Sequence, residues 1–147
     1  MQELQKIIQK LRNLNLSDVV REVVDRESDT AIALNTEQLF QRGIDSEGES
    51  LGVYSPFTIA YKKAKGQRYD HITLYDEGDF YRGFFAKTSG WPGEVVFGSS
   101  DSKYDELADR YGDAIFGLTK DSINEFTEQI DGVVQERCTK AILSAFQ

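Results

Sequence analysis

The sequence contains little of several residue types on which enzyme mechanisms and disulfide-stabilised folds depend. Among its 147 residues there is one cysteine, Cys138, and one histidine, His71. A single cysteine excludes an internal disulfide, and its position in a C-terminal helical pattern favours a small buried side chain over a reactive thiol. Ser-His-Asp and Cys-His mechanisms would both depend on the one histidine, which has no serine elbow or cysteine near it. A phosphate-binding glycine loop, a CxxC pair and an HExxH motif are also missing.

Long apolar runs are missing as well. No segment approaches the roughly 18 apolar residues that a membrane span requires, and the N-terminal pattern is amphipathic, unlike a signal peptide. We therefore expect that the protein does not associate with a membrane. We expect it to be made and assembled in the cytoplasm of the cell that makes it. With 39% apolar residues, 29% charged residues and two prolines, the composition is typical of a folded globular protein. The length predicts a single domain over residues 1–147.

Negative charge is concentrated toward the two ends of the chain. Residues 1–50 carry six basic and ten acidic side chains, residues 51–100 carry six and five, and residues 101–147 carry five and ten. Binding to phosphates needs a basic surface that releases counterions, so the acidic ends argue against wrapping nucleic acid. A surface past which DNA slides without sticking tolerates or favours this sign of charge.

The only basic cluster lies in a predicted helix near the middle of the chain. Ser55 and Pro56 are a strong start signal, because serine caps a helix and proline at the first helical position loses no hydrogen bond. This helix is predicted to run to about Lys65, with apolar contacts from Phe57, Ile59, Ala60 and Tyr61. The basic cluster consists of Lys62, Lys63, Lys65 and Arg68. It is either a solvated face that balances the acidic ends or a docking patch for an acidic partner or the DNA backbone.

Apolar periodicity predicts helices at both ends of the chain. Residues 2–12 have the i, i+3, i+4, i+7 spacing of one helical face. A longer helix, capped by Ser17, is predicted to continue to Gly43, a natural C-terminal cap. The C-terminal helix is predicted over residues 119–147, with Thr119 as its cap.

Between these helices the sequence predicts a β-hairpin at about residues 82–98. Its first strand runs from about Arg82 to Thr88, and the reversal contains Trp91. Ile72 to Tyr75 is a further β-prone run. The AIFGL segment before the C-terminal helix is either a buried connector or a third strand.

The predicted fold class is α+β, with a small antiparallel sheet flanked by long N-terminal and C-terminal amphipathic helices. Residues 1–43 form a helical arm, residues 51–118 an α+β core and residues 119–147 the C-terminal helix. The core is expected to include Phe80, Phe84 and Phe85.

Acidic residues crowd the segment around the single histidine. They are Asp70, Asp76, Glu77 and Asp79. Such a group suggests a metal site or two carboxylates acting as general acid and base, and close carboxylates are also typical of a solvated turn. One alternative is therefore a small metal-dependent hydrolase that uses Asp70, His71, Asp76 and Asp79. We nevertheless expect no metal, no cofactor and no catalysis.

Three ordered motifs in the middle of the chain resemble a known family. They are G-x-Y-S-P-x-T-I-x-x-K at Gly52–Lys62, I-T-L-Y-D-E-G-D-F-Y-R-G-F at Ile72–Phe84 and V-V-F-G-S at Val95–Ser99. They resemble virion-morphogenesis and tail-completion proteins of tailed bacteriophages, in which W-x-P-L-S-P-x-T-I-x-x-K precedes an L-x-D-T-G-x-L-x-x-S turn and a strand ending in G-S or G-T. The match covers about residues 50–112. Departures from the family pattern are Tyr54 for tryptophan or leucine, Glu77 for threonine, Phe80 for leucine, and Gly83 or Phe84 where serine is common.

The resemblance implies a protein that forms a homo-oligomeric ring at the neck or at the head-proximal end of the tail and joins head to tail without catalysis. It implies a location in the virion, contact with neighbouring neck or tail proteins, and passage of DNA through a lumen without specific binding. Gly78 and Asp79 would set the turn geometry. Candidate interface residues are Tyr81, Arg82, Trp91, Lys62, Lys63 and Lys65. A monomeric adaptor that binds one protein partner is a further alternative.

Overall fold

The computed structural model describes all 147 residues and confirms the α+β class. Helix accounts for 59% of the chain and β-structure for 10%. The sheet is two-stranded and antiparallel, and an isolated bridge joins Ile44 to Ser50. The elements in chain order are α1 (Gln2–Arg12), α2 (Leu16–Arg26), α3 (Ser28–Glu37) with a π-helical turn (Gln38–Arg42), α4 (Pro56–Ala64), α5 (Asp79–Arg82), β1 (Phe84–Ser89), β2 (Glu94–Ser99), α6 (Tyr104–Tyr111), a 3₁₀ turn (Asp113–Ile115) and α7 (Lys120–Ser144).

The second helix begins two residues earlier than the sequence predicts. The Asn15 side-chain oxygen accepts a hydrogen bond from the Asp18 backbone N–H at 3.1 Å, so Asn15 is the cap. Ser17, the predicted cap, lies inside the first turn, and this prediction was wrong. An asparagine cap serves the same purpose as serine, because its oxygen satisfies an otherwise unpaired N–H at the helix start.

The predicted long helix is interrupted at Glu27, which has a ψ of 19° and separates α2 from α3. Both helices pack on the hairpin, which a single straight helix would not allow. Asp25, near the end of α2, accepts hydrogen bonds from the backbone N–H and the hydroxyl of Thr88, both at 3.0 Å. The arm ends at Gly43 as predicted, with a left-handed φ of 59°.

The predicted hairpin is present. Its register runs from Phe84 opposite Ser99 to Ser89 opposite Glu94. The first strand begins later than predicted, because Arg82 belongs to the short helix α5.

Phe84 is buried as predicted, but Phe85 is 37% exposed, so its predicted core position was wrong. Successive residues of a strand point to opposite faces, which places Phe85 on the outer face of the hairpin. There it lies over Gly98, the residue directly opposite in the register. A Cβ atom at Gly98 would come within 2.6 Å of the Phe85 ring, so the absence of a side chain makes this contact possible.

The β-prone run of residues 72–75 forms no strand. Leu74 has a φ of 58°, the only positive φ outside glycine, and this breaks the extended conformation. Side chains replace a neighbouring strand as hydrogen-bond partners. The Thr73 N–H donates to the Tyr54 hydroxyl at 2.9 Å, and the Thr73 carbonyl accepts from the Tyr81 hydroxyl.

Buried apolar side chains form two clusters, and the hairpin contributes to both. One cluster contains Leu39, Phe80, Phe84 and Ile115. The other contains Val23, Val24 and Ile130, with Trp91, Val95 and Phe126 packed against it. The second cluster joins α2 to α7, which pack along each other.

The connector (residues 112–119) joins α6 to α7 and contains a 3₁₀ turn but no strand. Of the two alternatives for AIFGL, the buried connector is therefore correct. It ends at Thr119, whose hydroxyl oxygen accepts from the Ser122 N–H at 3.1 Å and caps α7 as predicted. No helix of the chain is both long enough and apolar enough to cross a lipid bilayer.

Two fully buried amide side chains bind the backbone of this connector. The Asn35 amide donates to the Ile115 carbonyl at 3.0 Å and accepts from the Gly117 N–H at 2.8 Å. The Gln38 amide donates to the Gly117 carbonyl at 3.0 Å and accepts from the Thr119 N–H at 2.8 Å. Both side chains lie at 0% exposure, and each makes one hydrogen bond as donor and one as acceptor, which ties α3 and its π-helical turn to the start of α7.

Candidate functional site

The first two motifs that resemble tail-completion proteins meet around α4 and the α4–α5 loop (residues 65–78). The third motif is part of β2 and contacts α5, where the Ser99 hydroxyl donates to the Phe80 carbonyl at 2.8 Å. Lys62 of α4 is only 5% exposed, and its ammonium donates to the Tyr75 carbonyl at 2.6 Å. The same ammonium lies 4.8 Å from the centre of the Tyr54 ring. Lys62 was predicted as part of a surface cluster, but its charge is used inside the chain to hold the loop. The surface cluster therefore consists of Lys63, Lys65 and Arg68.

Tyr81, a candidate interface residue, also acts within the chain. Its hydroxyl donates to the Thr73 carbonyl, and its ring contacts Tyr75 edge to face at 5.6 Å between centroids. A similar edge contact joins it to Phe40 at 6.4 Å. Burial raises the pKa of the Tyr81 hydroxyl, which keeps it protonated as a donor.

Gly78 has the positive φ predicted for its turn, at 89°. A Cβ atom there would lie 2.9 Å from the Arg82 guanidinium and 3.1 Å from the Tyr75 ring, so a side chain would also meet its neighbours. The Arg82 backbone N–H donates to the Gly78 carbonyl at 2.9 Å, which closes the first turn of α5. Arg82 also pairs with Asp79, so both predicted turn residues and one candidate interface residue belong to the same turn.

Trp91 fixes the hairpin turn to α2. Its indole N–H donates to the Ser17 carbonyl at 2.8 Å and to the Ser17 hydroxyl at 2.7 Å. Its ring packs on the cluster that contains Val23 and Ile130. The peptide bond to Pro92 is cis. The structure thus gives Trp91, a candidate interface residue, an internal packing role.

The carboxylates of the hydrolase alternative are separated, and each pairs with a different cation. No group of three or more His, Cys, Asp or Glu side chains comes together in the geometry of a metal site. The hydrogen bond from Arg68 holds the pKa of the Asp70 carboxyl at about 2. The ion pairs are Asp70–Arg68 at 2.8 Å, Asp76–Lys65 at 3.1 Å, and Asp79–Arg82.

His71 has a packing role in the structure. Its Nε2 lies 2.7 Å from the Phe40 carbonyl, which only accepts, so this nitrogen carries the proton and donates. A Cβ atom at Gly43 would come within 2.5 Å of the His71 ring, so the ring lies directly against that backbone. Asp70 lies near the other ring nitrogen at 3.4 Å.

The outward α4 face (Phe57, Ala60, Tyr61, Ala64) is the main feature that sequence reasoning missed. All four residues are exposed, with Phe57 at 82% and Tyr61 at 49%. Val53, just before the helix, is 76% exposed. Phe57, Ala60 and Tyr61 were predicted, with Ile59, to supply apolar contacts, but these three are exposed because Lys62 lies on the inner side of the helix. The i, i+3, i+4, i+7 spacing of the four residues on the side opposite Lys62 is the signal that would have identified this face.

A second apolar surface lies on α1, which has no buried residue. Leu4 is 52% exposed, and Ile8 and Leu11 are 39% and 37% exposed. The Lys10 ammonium donates to the Gln147 backbone carbonyl at 2.7 Å, so α1 lies beside the end of α7.

Comparison of the chain with family models, with curated proteins and with solved structures finds no match. The resemblance to tail-completion proteins therefore depends on the three motifs quoted above. Function is inferred from these motifs together with the exposed apolar and charged surfaces.

Proposed function

We propose that the protein is a structural virion protein of a tailed phage or prophage, a neck or tail-completion subunit that assembles into a ring joining head and tail. The observation that carries this proposal is the outward α4 face. It lies in the segment Gly52–Lys62, the first of the motifs that resemble the family, and it exposes Phe57 almost completely.

Assembly is the role that suits such a surface. A folded helix normally turns its apolar stripe toward its own core, whereas a contiguous exposed apolar patch is typical of a protein–protein contact. Burying the patch between subunits removes it from water and stabilises the assembly. In this proposal the mechanism is association, with the α1 surface as a further contact for another copy or for a neighbouring neck or tail protein.

The charge of the chain agrees with this role. With a net charge of −8, a ring of such subunits presents acidic surface to a lumen, and DNA passes an acidic wall without adhering to it. The subunit is made in the bacterial host cytoplasm, acts in the virion and catalyses no reaction in this proposal.

Deleting the gene from the phage or prophage that carries it tests the proposal. We expect electron microscopy to find filled heads and complete tails that are not joined, with infectivity restored when the protein is supplied from a plasmid. Joined, infectious particles in the absence of the protein would contradict a head–tail joining role.

A double variant separates this role from the hydrolase alternative. Asp76→Asn with Asp79→Asn removes both carboxylates from the turn while keeping its shape, so it should restore joining as well as the wild type does. Failure of this variant, in a form that melts at the wild-type temperature, would favour chemistry at the turn.

A further inference from the structure

Two outward surfaces of the chain carry opposite charge. Residues 50–69, which include α4, contain four basic and no acidic side chains, and three of the four, Lys63, Lys65 and Arg68, lie at the surface. Residues 121–136 of α7 contain five acidic and no basic side chains, and all five carboxylate residues are exposed. No ion pair joins these two segments within one chain. Their complementary charge is therefore available between copies.

The acidic face of α7 also has a gap at its centre. Gly132 lies in the middle of this 25-residue helix and is exposed. A Cβ atom there would meet nothing within 4 Å, so packing inside the chain does not require a glycine. Glycine in a helix interior is destabilising relative to alanine. Glu128 and Glu136, four residues before and after it, lie on the same face of the helix.

We propose that the outward α4 face of one copy packs against α7 of a second copy around Gly132. Phe57 then occupies the gap above the glycine, and Lys63 lies toward the carboxylates of Glu128 and Glu136. This inference rests on the proposed function and names the contact between its subunits. Because the two surfaces differ, the contact is head to tail, and repetition of such a contact closes into a ring when the rotation allows it.

Charge favours α7 of a second copy over two other partners for the outward α4 face, which are α4 of another copy and a nucleic acid. Packing α4 against α4 of another copy would bring Lys63 against its own counterpart, whereas residues 121–136 of α7 carry only carboxylates. Of these, Glu136 also pairs with Lys140 at 3.0 Å, and Glu128 has no ion pair within the chain. To bind a nucleic acid, a protein must offer several unpaired cationic side chains that replace the counterions of the phosphates. Lys65 and Arg68 are already paired with Asp76 and Asp70. Within the surface cluster only Lys63 has no ion pair, which favours a protein surface over a phosphate backbone.

Two variants test the contact from its two sides, with mass in solution measured by light scattering over a wide range of concentration. Phe57→Asp places a carboxylate against the acidic face, and Gly132→Gln fills the gap with a good helix former. Each should weaken self-association by at least about tenfold, and added salt should weaken the wild-type contact. Gly132→Gln should at the same time raise the melting temperature of the monomer, because it removes a helix-interior glycine.

Matched controls are an exposed phenylalanine and an exposed α7 residue away from these surfaces. Phe146→Asp and Ser144→Gln, the latter at the far end of α7 outside residues 121–136, introduce the same new side chains and should leave association unchanged.

Mixing the two defective variants gives the sharpest result. The Phe57→Asp chain keeps an intact α7 face, and the Gly132→Gln chain keeps an intact α4 face. Each alone should remain monomeric where the wild type associates, whereas an equimolar mixture should form pairs through the one remaining contact.

Several results would overturn the inference. They are a wild type that stays monomeric at every concentration, variants that associate like the wild type, loss of association in Phe146→Asp alone, and binding of a single-stranded DNA oligonucleotide that Phe57→Asp abolishes. Head–tail joining in the deletion experiment is measured separately, so the proposed function can stand when this contact fails.

Discussion

The connector and the α4–α5 loop are two irregular segments that the protein holds in different ways. Both are bound through their backbone by side chains from neighbouring elements. In the connector the binding side chains are Asn35 and Gln38, which are wholly buried. In the loop they include Tyr54 and Tyr81, which are partly buried and lie beside exposed ion pairs.

This difference determines what each segment can do. When a bond between a buried amide and the connector is broken, no water can take the place of the missing partner. The connector therefore has one stable arrangement. In the loop Thr73 is buried, but the ion pairs Arg68–Asp70 and Lys65–Asp76 lie at the surface. Exposed ion pairs contribute little, so this outer part of the loop is less costly to adjust. The outward α4 face adjoins the loop and not the connector. The protein thus places its exposed apolar surface beside the more adjustable segment.

The largest expected effect comes from removing a buried amide of the connector. Asn35→Ala leaves the Ile115 carbonyl and the Gly117 N–H unpaired in the core. We expect the free energy of unfolding, measured by urea titration, to fall by about 3 kcal/mol. Asn124→Ala, at an exposed position of α7, is the matched control and should be neutral or slightly stabilising. Equal effects of the two substitutions would show that the bonds of the buried Asn35 amide do not stabilise the connector.

A smaller loss is expected for the corresponding change at the loop. Tyr54→Phe removes the hydroxyl that binds the Thr73 N–H and lies 3.1 Å from the Thr73 hydroxyl. Thr73 is buried at 1% exposure, but Tyr54→Phe keeps the packing of the ring and removes one neutral hydroxyl, so the same titration should show a loss of about 1 kcal/mol. Tyr69→Phe removes a hydroxyl from an exposed ring and should change the unfolding free energy by less than about 0.5 kcal/mol. A loss at Tyr54 as large as that at Asn35 would show that the loop is as rigid as the connector.

Local signals in the sequence were sufficient for much of the fold. The caps at Ser55 and Thr119, the end of the arm at Gly43 and the hairpin all depend on residues a few positions apart. Such short-range preferences persist when the tertiary structure forms. The Gly78 turn belongs to the same class, because a positive φ is a property of one residue.

Features that depend on distant partners could not be predicted in this way. The Asn35 and Gln38 bonds to the connector join residues about 80 positions apart, and nothing near either amide indicates its partner. The orientation of α4 was missed for a similar reason. Its apolar stripe ordinarily predicts a buried face, but Lys62 finds a distant carbonyl at Tyr75 and turns that stripe outward. The outward face is therefore both the failed prediction and the candidate assembly surface.

The smallest effect should come from the exposed ion pair at the edge of the loop, and pH reveals it. The hydrogen bond from Arg68 lowers the pKa of Asp70 from its ordinary value of 3.8 to about 2 in the folded chain. A lowered folded pKa means that the carboxylate stabilises the fold above about pH 4 and that this contribution is lost as pH falls toward 2. The difference in urea midpoint between the wild type and Asp70→Asn should therefore be small at neutral pH and vanish near pH 2.

Two control variants accompany this measurement. Arg68→Gln should remove the same pH dependence, whereas the Asn35→Ala loss should stay constant across this range because no titrating group is involved. A wild-type advantage over Asp70→Asn that grows with acidity would mean that Asp70 stabilises the loop in its protonated form, and the ion pair would then have no part in holding it.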